Sequence, residues 1–552
     1  MLFVCTALFF SFLYPAHIRF QEQYQLFEFA GDYFLHTVSV PGGFSDWCGR
    51  FLTQFFAIPW LGALVTASLS TAAYVLCRRL LGGGSLLHLL LSLVPAILLS
   101  VMFLADEYLP GAAVALLFSL SAAVAIRSMD RSYIRTFLSL VIPAALYFLA
   151  GPAAVLTALL IPRDERLAVR IFAPLPVLLL PLLCQFFCHI PLESLYFGVH
   201  YVRIPDMFPS ALWMTALGVI AISCIDILAV KGHGKTAVPA AALLISASLF
   251  MLWKTTDFEK EETMRYDFMA ENEDWDGIIR TARKSAPANA LSTGCLNLAL
   301  ACSGQLPDRQ FSYPQSGEKG LFPSYSISYR SLPAISEIYW HLGMVNACQQ
   351  YIFDAQEAIP DFQKSARCYK RLAETGMING DYGVAMKYLD ALSNTLFYRR
   401  WARDAKALLA SPERIDGHAV YGRLRRLRDD NPVTLFNENN KYAMCLDMVR
   451  HNPDNDIARQ YLYSLLLLEK DLEGFLKVFD GDRYMTLPKH YQEALALICV
   501  NERKPLASVS GLVSENNLKR MRDFIRDMKS NLSEESMKKK YGDTYWYYSI
   551  FR

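Results

Sequence analysis

Apolar residues are spread unevenly along this chain, and that unevenness limits its fold more than any single motif does. From Met1 to about Trp253 greasy stretches alternate with short charged loops; from Lys254 onward charged residues recur every few positions. A bilayer is crossed by about 20 consecutive apolar residues in a helix. The first half therefore reads as a membrane domain, residues 1–253, of about nine helices, and residues 254–552 as a soluble domain. The expected spans are 1–15, 51–77, 84–104, 111–126, 136–150, 152–162, 171–188, 211–230 and 236–253. The overall hydrophobic fraction of 53% is too high for an ordinary soluble protein of 552 residues. The expected fold is all-α: a polytopic membrane bundle followed by a soluble α-solenoid.

The basic residues of the first half give these spans a direction. Arg78 and Arg79, then Arg127, Arg131 and Arg135, then Arg163, Arg166 and Arg170, then Lys231 and Lys235 fall in alternate loops. Cytoplasmic loops carry the excess of Lys and Arg, so these loops are expected inside. The acidic or mixed segments 16–50, Asp106–Glu107, 189–210 and everything after Trp253 are then expected outside. This predicts a bacterial inner-membrane protein with a cytoplasmic N-terminus and a periplasmic C-terminal domain. The first stretch has no basic start and no small-residue cleavage site, which predicts an uncleaved anchor. Residues 136–162 are too short for two comfortable spans, yet Arg135 and Arg163 must share a side. The break at Gly151-Pro152 predicts a tight helical hairpin.

The second half reads as helix pairs. Leu296 and Gly304 recur as Leu372 and Gly380, followed by Ala385 and Leu389, and Leu462, Lys470, Phe475 and Phe479 repeat the intervals. This resembles the tetratricopeptide pattern, in which small and large residues at set places pack successive helices. The segment between Gln305 and Leu332 is rich in Pro, Gly, Ser and Tyr and interrupts the helical period, as functional or disordered loops do. The aromatic tail YGDTYWYYSIFR either stacks back on the repeats or touches the bilayer interface. A net charge of +2 with no clustered basic face excludes a nucleic-acid partner. The twelve cysteines contain no CxxC pair, so no zinc knuckle or thioredoxin-like motif is indicated.

The loop after the first apolar stretch, QEQYQLFEFAGDYFLHTVSVPGG, places Gln21, Gln25, Glu28, Asp32 and His36 three or four residues apart. That spacing predicts an interfacial helix near 20–37 with a polar stripe, its aromatic residues facing the bilayer. On such a helix Glu28 and Asp32 lie one turn apart and disfavour each other's ionisation. A bound divalent cation would relieve the repulsion; a simple wetted helix face is the alternative. Asp106 and Glu107 read as a solvated acidic turn before Pro110. Asp226 lies near the inner end of an apolar span, with Lys231 close enough to pair.

The arrangement of a first span, a long external loop with an acidic interfacial helix, and short spans with basic inner turns resembles the GT-C glycosyltransferases that use polyprenyl-phosphate sugar donors. The stretch LYFLAGPAAVLTALLIPRDER resembles the repeated hairpin of their core. The adjacent Asp-Glu that follows their first span is absent here, as is a Lys in the Gly151-Pro152 turn. The resemblance implies that Asp32 or Glu28 acts as the base or holds a metal, and that Arg203, assisted by His200 or His189, holds the lipid phosphate of a polyprenyl-linked sugar. More narrowly, PAHIRFQEQYQLFEFAGDYF and GDTYWYY resemble an uncharacterised family of bacterial membrane proteins of unknown function. The alternative from a different class is a non-enzymatic, membrane-anchored scaffold that binds a protein partner of the envelope through its helical repeats.

Overall fold

The computed structural model describes residues 1–82, 86–106, 108–162, 164–198, 234–326, 328–359, 363–428, 440–530 and 532–552. Among these residues the structure is all helix and loop, with no strand. The chain forms two compact units. The first comprises Met1–Glu261, Ile359–Lys370 and Lys387–Lys406; the second comprises Glu262–Ala358, Arg371–Met386 and Ala407–Arg552. The chain first passes between the units after Glu261, and two later segments belong to the first unit.

In the first unit four helical stretches are long and apolar enough to cross a membrane: Pro59–Leu81, Pro110–Ser128, Tyr133–Leu159 and Leu167–Cys188. A fifth is counted if the bent pair Leu2–Leu13 and Pro15–Glu22 is taken as one. This marks the chain as a multi-pass membrane protein. Leu86–Met102 and Gly234–Thr255 are further apolar helices, and the expected span 211–230 lies outside the described residues. The expected start at residue 51 moves to Pro59 because residues 43–53 belong to a separate helix, Gly43–Thr53. That helix crosses Pro110–Ser128 so closely that a Cβ on Gly49 would lie 2.2 Å from the backbone nitrogen of Gly111. Only glycine permits this approach.

A straight helix over Tyr133–Leu159 would separate its ends by about 40 Å. Instead the Arg135 guanidinium meets the Glu165 carboxylate at 2.6 Å, so the chain turns back on itself. The reversal is a short 3-10 turn, Gly151–Ala154. Gly151 opens it at φ 56° and ψ −144°, a region essentially closed to residues with a Cβ.

Side-chain contacts sort the loops of this unit into two ends. Arg127 donates to the carbonyl of Leu80, Arg135 to that of Met129 at 3.2 Å, and Arg135 also pairs with Asp164. The basic loops after residues 81, 128 and 159 therefore gather at one end. At the other end Gly42 N–H donates to Phe148 O at 3.0 Å, Ser45 to Leu149 O at 2.7 Å, and Gln21 to Tyr108 O at 3.1 Å. For the loops described up to residue 166, the alternation read from the sequence is thus a physical separation of two polar ends by the apolar helices.

The second unit is built of short helices, many of them in hairpin pairs: Trp275–Lys284 with Ala290–Cys302, Leu332–Leu342 with Val345–Glu357, and Lys441–His451 with Asp456–Leu468. Their starts are set locally. Asp274, Asn289, Asn440, Asn455 and Asp471 each accept a hydrogen bond from the backbone N–H three residues on, satisfying donors that a helix start leaves free. The irregular segment 305–332 is packed into this unit rather than projecting from it. Asn297 donates to Gly320 O at 2.7 Å, and Phe322 is buried against Tyr339 and Tyr461. The aromatic tail also folds back: Tyr545 and Trp546 are fully buried, and Tyr545 N–H donates to Glu493 at 2.8 Å.

Candidate functional site

The polar end of the first unit is organised by an elbow just after the first apolar helix. The chain leaves Phe9–Leu13 and bends by 84° into Pro15–Glu22. Pro15 suits this place, because it fixes φ at the first helical position and lacks the N–H that would be orphaned there. The next two N–H groups, of Ala16 and His17, donate to the two oxygens of Glu261 at 2.8 and 2.9 Å. A carboxylate at a helix N-terminus satisfies orphaned donors and matches the positive end of the helix dipole.

His17 Nε2 donates to Phe103 O at 2.9 Å, and Nδ1 faces Asp106 Oδ1 at 3.4 Å. Donation to the carbonyl assigns a proton to Nε2. Lys260 meets the other oxygen of Asp106. His17, Asp106 and Glu261 are all buried, whereas the Lys260 side chain keeps 32% of its exposure. The cluster therefore joins residues 16–21, 103–108 and 257–261 through paired charges. Since its acids already have partners, its chemistry is that of a knot. Asp106, expected on a solvated turn, is completely buried, because His17 and Lys260 supply the partners that a buried carboxylate requires. Glu107 lies outside the described residues.

The interfacial helix expected near 20–37 is two helices, Pro15–Glu22 and Gly31–Val38, with an extended segment between them. The reason is long-range pairing: Leu26 N–H donates to Lys364 O at 2.8 Å, and Phe29 N–H to Asn394 O at 2.7 Å. A helix would have used these donors internally. The periodic stripe is consequently broken. Gln21 and Gln25 are buried, Glu28 pairs with Lys364 at 3.2 Å, and Asp32 and His36 are exposed on the second helix. Of the rings expected to face a bilayer, Tyr24 and Phe27 are buried, Phe27 against Phe29, Tyr33, Trp47 and Phe51, whereas Phe34 is exposed.

Beside this segment Asp46 and Arg50 form a buried pair, with Arg50 Nε donating to Asp46 Oδ2 at 2.8 Å. Arg50 also donates to the Tyr33 hydroxyl at 3.3 Å. Burial alone would lower the guanidinium pKa, but Asp46 and Tyr33 outweigh it and raise it above its ordinary value. Burial likewise raises the Tyr33 phenol, against the pull of Arg50. Glu22, Gln25, Gln54 and Tyr398 line a slot of about 10 Å³, room for one water and too small for a sugar.

Of the five candidate residues, Glu28 is ion-paired, Asp32 is open to solvent, and His189 is exposed at the C-terminal cap of Pro174–Cys188 with φ 52°. No contact joins these three among the described residues. His200 and Arg203, like Asp226, lie outside the described residues. Glu28 lies outside the helix that carries Asp32, so the one-turn spacing from which their repulsion was expected is absent. Among the described residues no group of three His, Cys, Asp or Glu is placed to hold a metal ion. The groups that the structure does converge, His17, Asp106, Lys260 and Glu261, were missed as a set. The available signal was their position at the edges of apolar stretches, where a charge needs a partner.

The chain belongs to the family of unknown function DUF6057, and the match runs over residues 1–552. No curated protein and no solved structure matches it.

Proposed function

We propose that this member of DUF6057 is an inner-membrane anchor whose helical-repeat half serves as a scaffold for a protein partner in the envelope. One observation carries the reading: apart from Asp32, the acidic groups described at the polar end of the first unit are matched by partners within it. Glu261 accepts two backbone N–H groups, and Asp106, Asp46 and Glu28 meet Lys260, Arg50 and Lys364. A general base must be free to take a proton from substrate; these groups hold chain segments together. The hairpin pairs of the second unit support a tetratricopeptide-like solenoid, an architecture that offers extended binding surfaces. The basic end of the first unit, with Arg78, Arg79, Arg127 and Arg135, favours a cytoplasmic placement. The N-terminus is then inside and residues 254–552 are periplasmic.

A GT-C-like glycosyltransferase, moving a sugar from a polyprenyl-phosphate donor, is the second reading. It is favoured by Asp32, whose exposed carboxylate has no ion pair among the described residues, and it retains His200, Arg203 and His189 as holders of the phosphate, with a divalent cation as an open requirement. The test is complementation of a deletion strain by full-length Asp32→Asn and Glu28→Gln. The scaffold reading expects both variants to restore the wild-type envelope with an unchanged glycan profile. Asp32→Asn reproducing a glycan defect of the deletion would replace it with the transferase.

A further inference from the structure

A basic cleft in the first unit plays no part in the function proposed above. It is lined by Ser393, Arg399, Arg403 and Lys406 and encloses about 390 Å³. Three of these residues come from one helix, Arg399–Leu408, whose Ala402 and Ala405 are buried. Arg399, Arg403 and Lys406 follow at intervals of four and three, so they share one face, beside the buried alanines. Lys406 is paired with Asp390 at 2.7 Å. Arg399 and Arg403 are exposed and make no ion pair or side-chain hydrogen bond among the described residues. The cleft therefore presents two uncompensated guanidinium forks, the group best suited to phosphate oxygens.

The turn that leads into this helix is apolar. Leu396 and Phe397 are exposed at 41% and 36%. Phe397 also meets Phe55 edge-on at 6.1 Å, and Phe55 lies just before Pro59, where a membrane-length helix begins. Trp60, in the first turn of that helix, is 57% exposed. An exposed Trp at a span's end marks the headgroup level of a bilayer. The cleft thus combines uncompensated cations with apolar side chains beside the start of a span.

We propose that Arg399 and Arg403 bind the phosphate of an anionic membrane lipid, with Leu396 and Phe397 against its acyl chains. The probe is short-chain phosphatidylglycerol, titrated against the full-length protein in detergent. Arg399→Ala/Arg403→Ala should bind it about thirtyfold more weakly, the factor for two basic side chains at a membrane surface. Both side chains are exposed, so the thermal midpoint should match wild type. Arg399→Lys/Arg403→Lys should recover part of the loss, since charge is kept and the forks are not. Equal binding by wild type and the alanine variant overturns the proposal. So does binding of pyrophosphate that the lipid cannot displace, which would make the site one for a soluble phosphate.

Discussion

The two units place their aromatic and charged side chains in opposite ways. The first unit turns Phe186 and Phe187 outward, at 76% and 83% exposure, while His17, Glu22, Asp46, Asp106 and Glu261 are buried. The second unit buries Tyr339, Tyr351, Tyr461, Tyr491 and Trp546, and covers much of its surface with Lys, Arg, Asp and Glu. The difference is one of solvent. An outer face of Phe and Leu is stable against lipid tails, and inside such a unit polar groups must satisfy one another because lipid offers no hydrogen bonds. Where water is the solvent, the large rings supply the main driving force for folding and go inside.

The strongest test of this contrast lies in the second unit, where Arg371 is an exception to its pattern. Its guanidinium is buried between Glu337 at 2.6 Å and Glu374 at 2.9 Å and lies 4.0 Å over the ring of Trp340. Arg371→Ala leaves two buried carboxylates without their cation, and should cost about 3–5 kcal/mol, read as a fall in thermal midpoint of the purified full-length protein. A shift no larger than that of a surface variant would mean the cluster is wet.

Next in size is Leu183→Arg, on the exposed side of Pro174–Cys188. If that side faces lipid, the charge should cost about 2.5–3.5 kcal/mol of insertion at a span's centre, seen as protein lost from the membrane fraction. Met485→Arg, at a fully exposed position of the second unit, should change stability by no more than about 0.5 kcal/mol. Equal behaviour of the two variants would erase the distinction between the units.

Asp106→Asn sharpens the picture of the elbow. It removes the charge shared by His17 and Lys260 and should cost about 1–3 kcal/mol, with faster proteolysis within residues 14–30 as the readout. The smallest effect near neutral pH comes from His341. Burial, aided by Arg371 and Arg423 against Glu337, lowers its pKa from 6.5 to about 4. The unfolded chain therefore takes up a proton that the folded chain refuses, so stability is full above pH 6.5 and falls as pH drops from there towards 4. His341→Leu should flatten that part of the profile in thermal melts at several pH values.

Of the nine spans expected from the sequence, four stretches are of membrane length among the described residues, and the reversal at Gly151 stands where it was expected, because each depends on residues close together in the chain. The sequence reading failed at residues 20–37 for the opposite reason. A spacing of three and four is the mark of a helix only while backbone groups bond within it, and here Leu26 and Phe29 bond to Lys364 and Asn394. The same limit hid the elbow cluster, whose members at 17, 106 and 260–261 carry no shared spacing. Asp106 looked like a turn residue because nothing local could reveal that His17 and Lys260 would meet it.

By itself, then, the order of residues determined that the chain is helical, that its first half holds membrane-length apolar helices, and which loops share an end. Hydrophobic period and charge position are local properties, and they act through helix formation and transfer to lipid one segment at a time. Only the tertiary structure decided which acids are free and which are bound. A carboxylate's role depends on the cation that reaches it, and Lys260 and Lys364 reach theirs across more than a hundred residues of chain. No period or spacing carries that information.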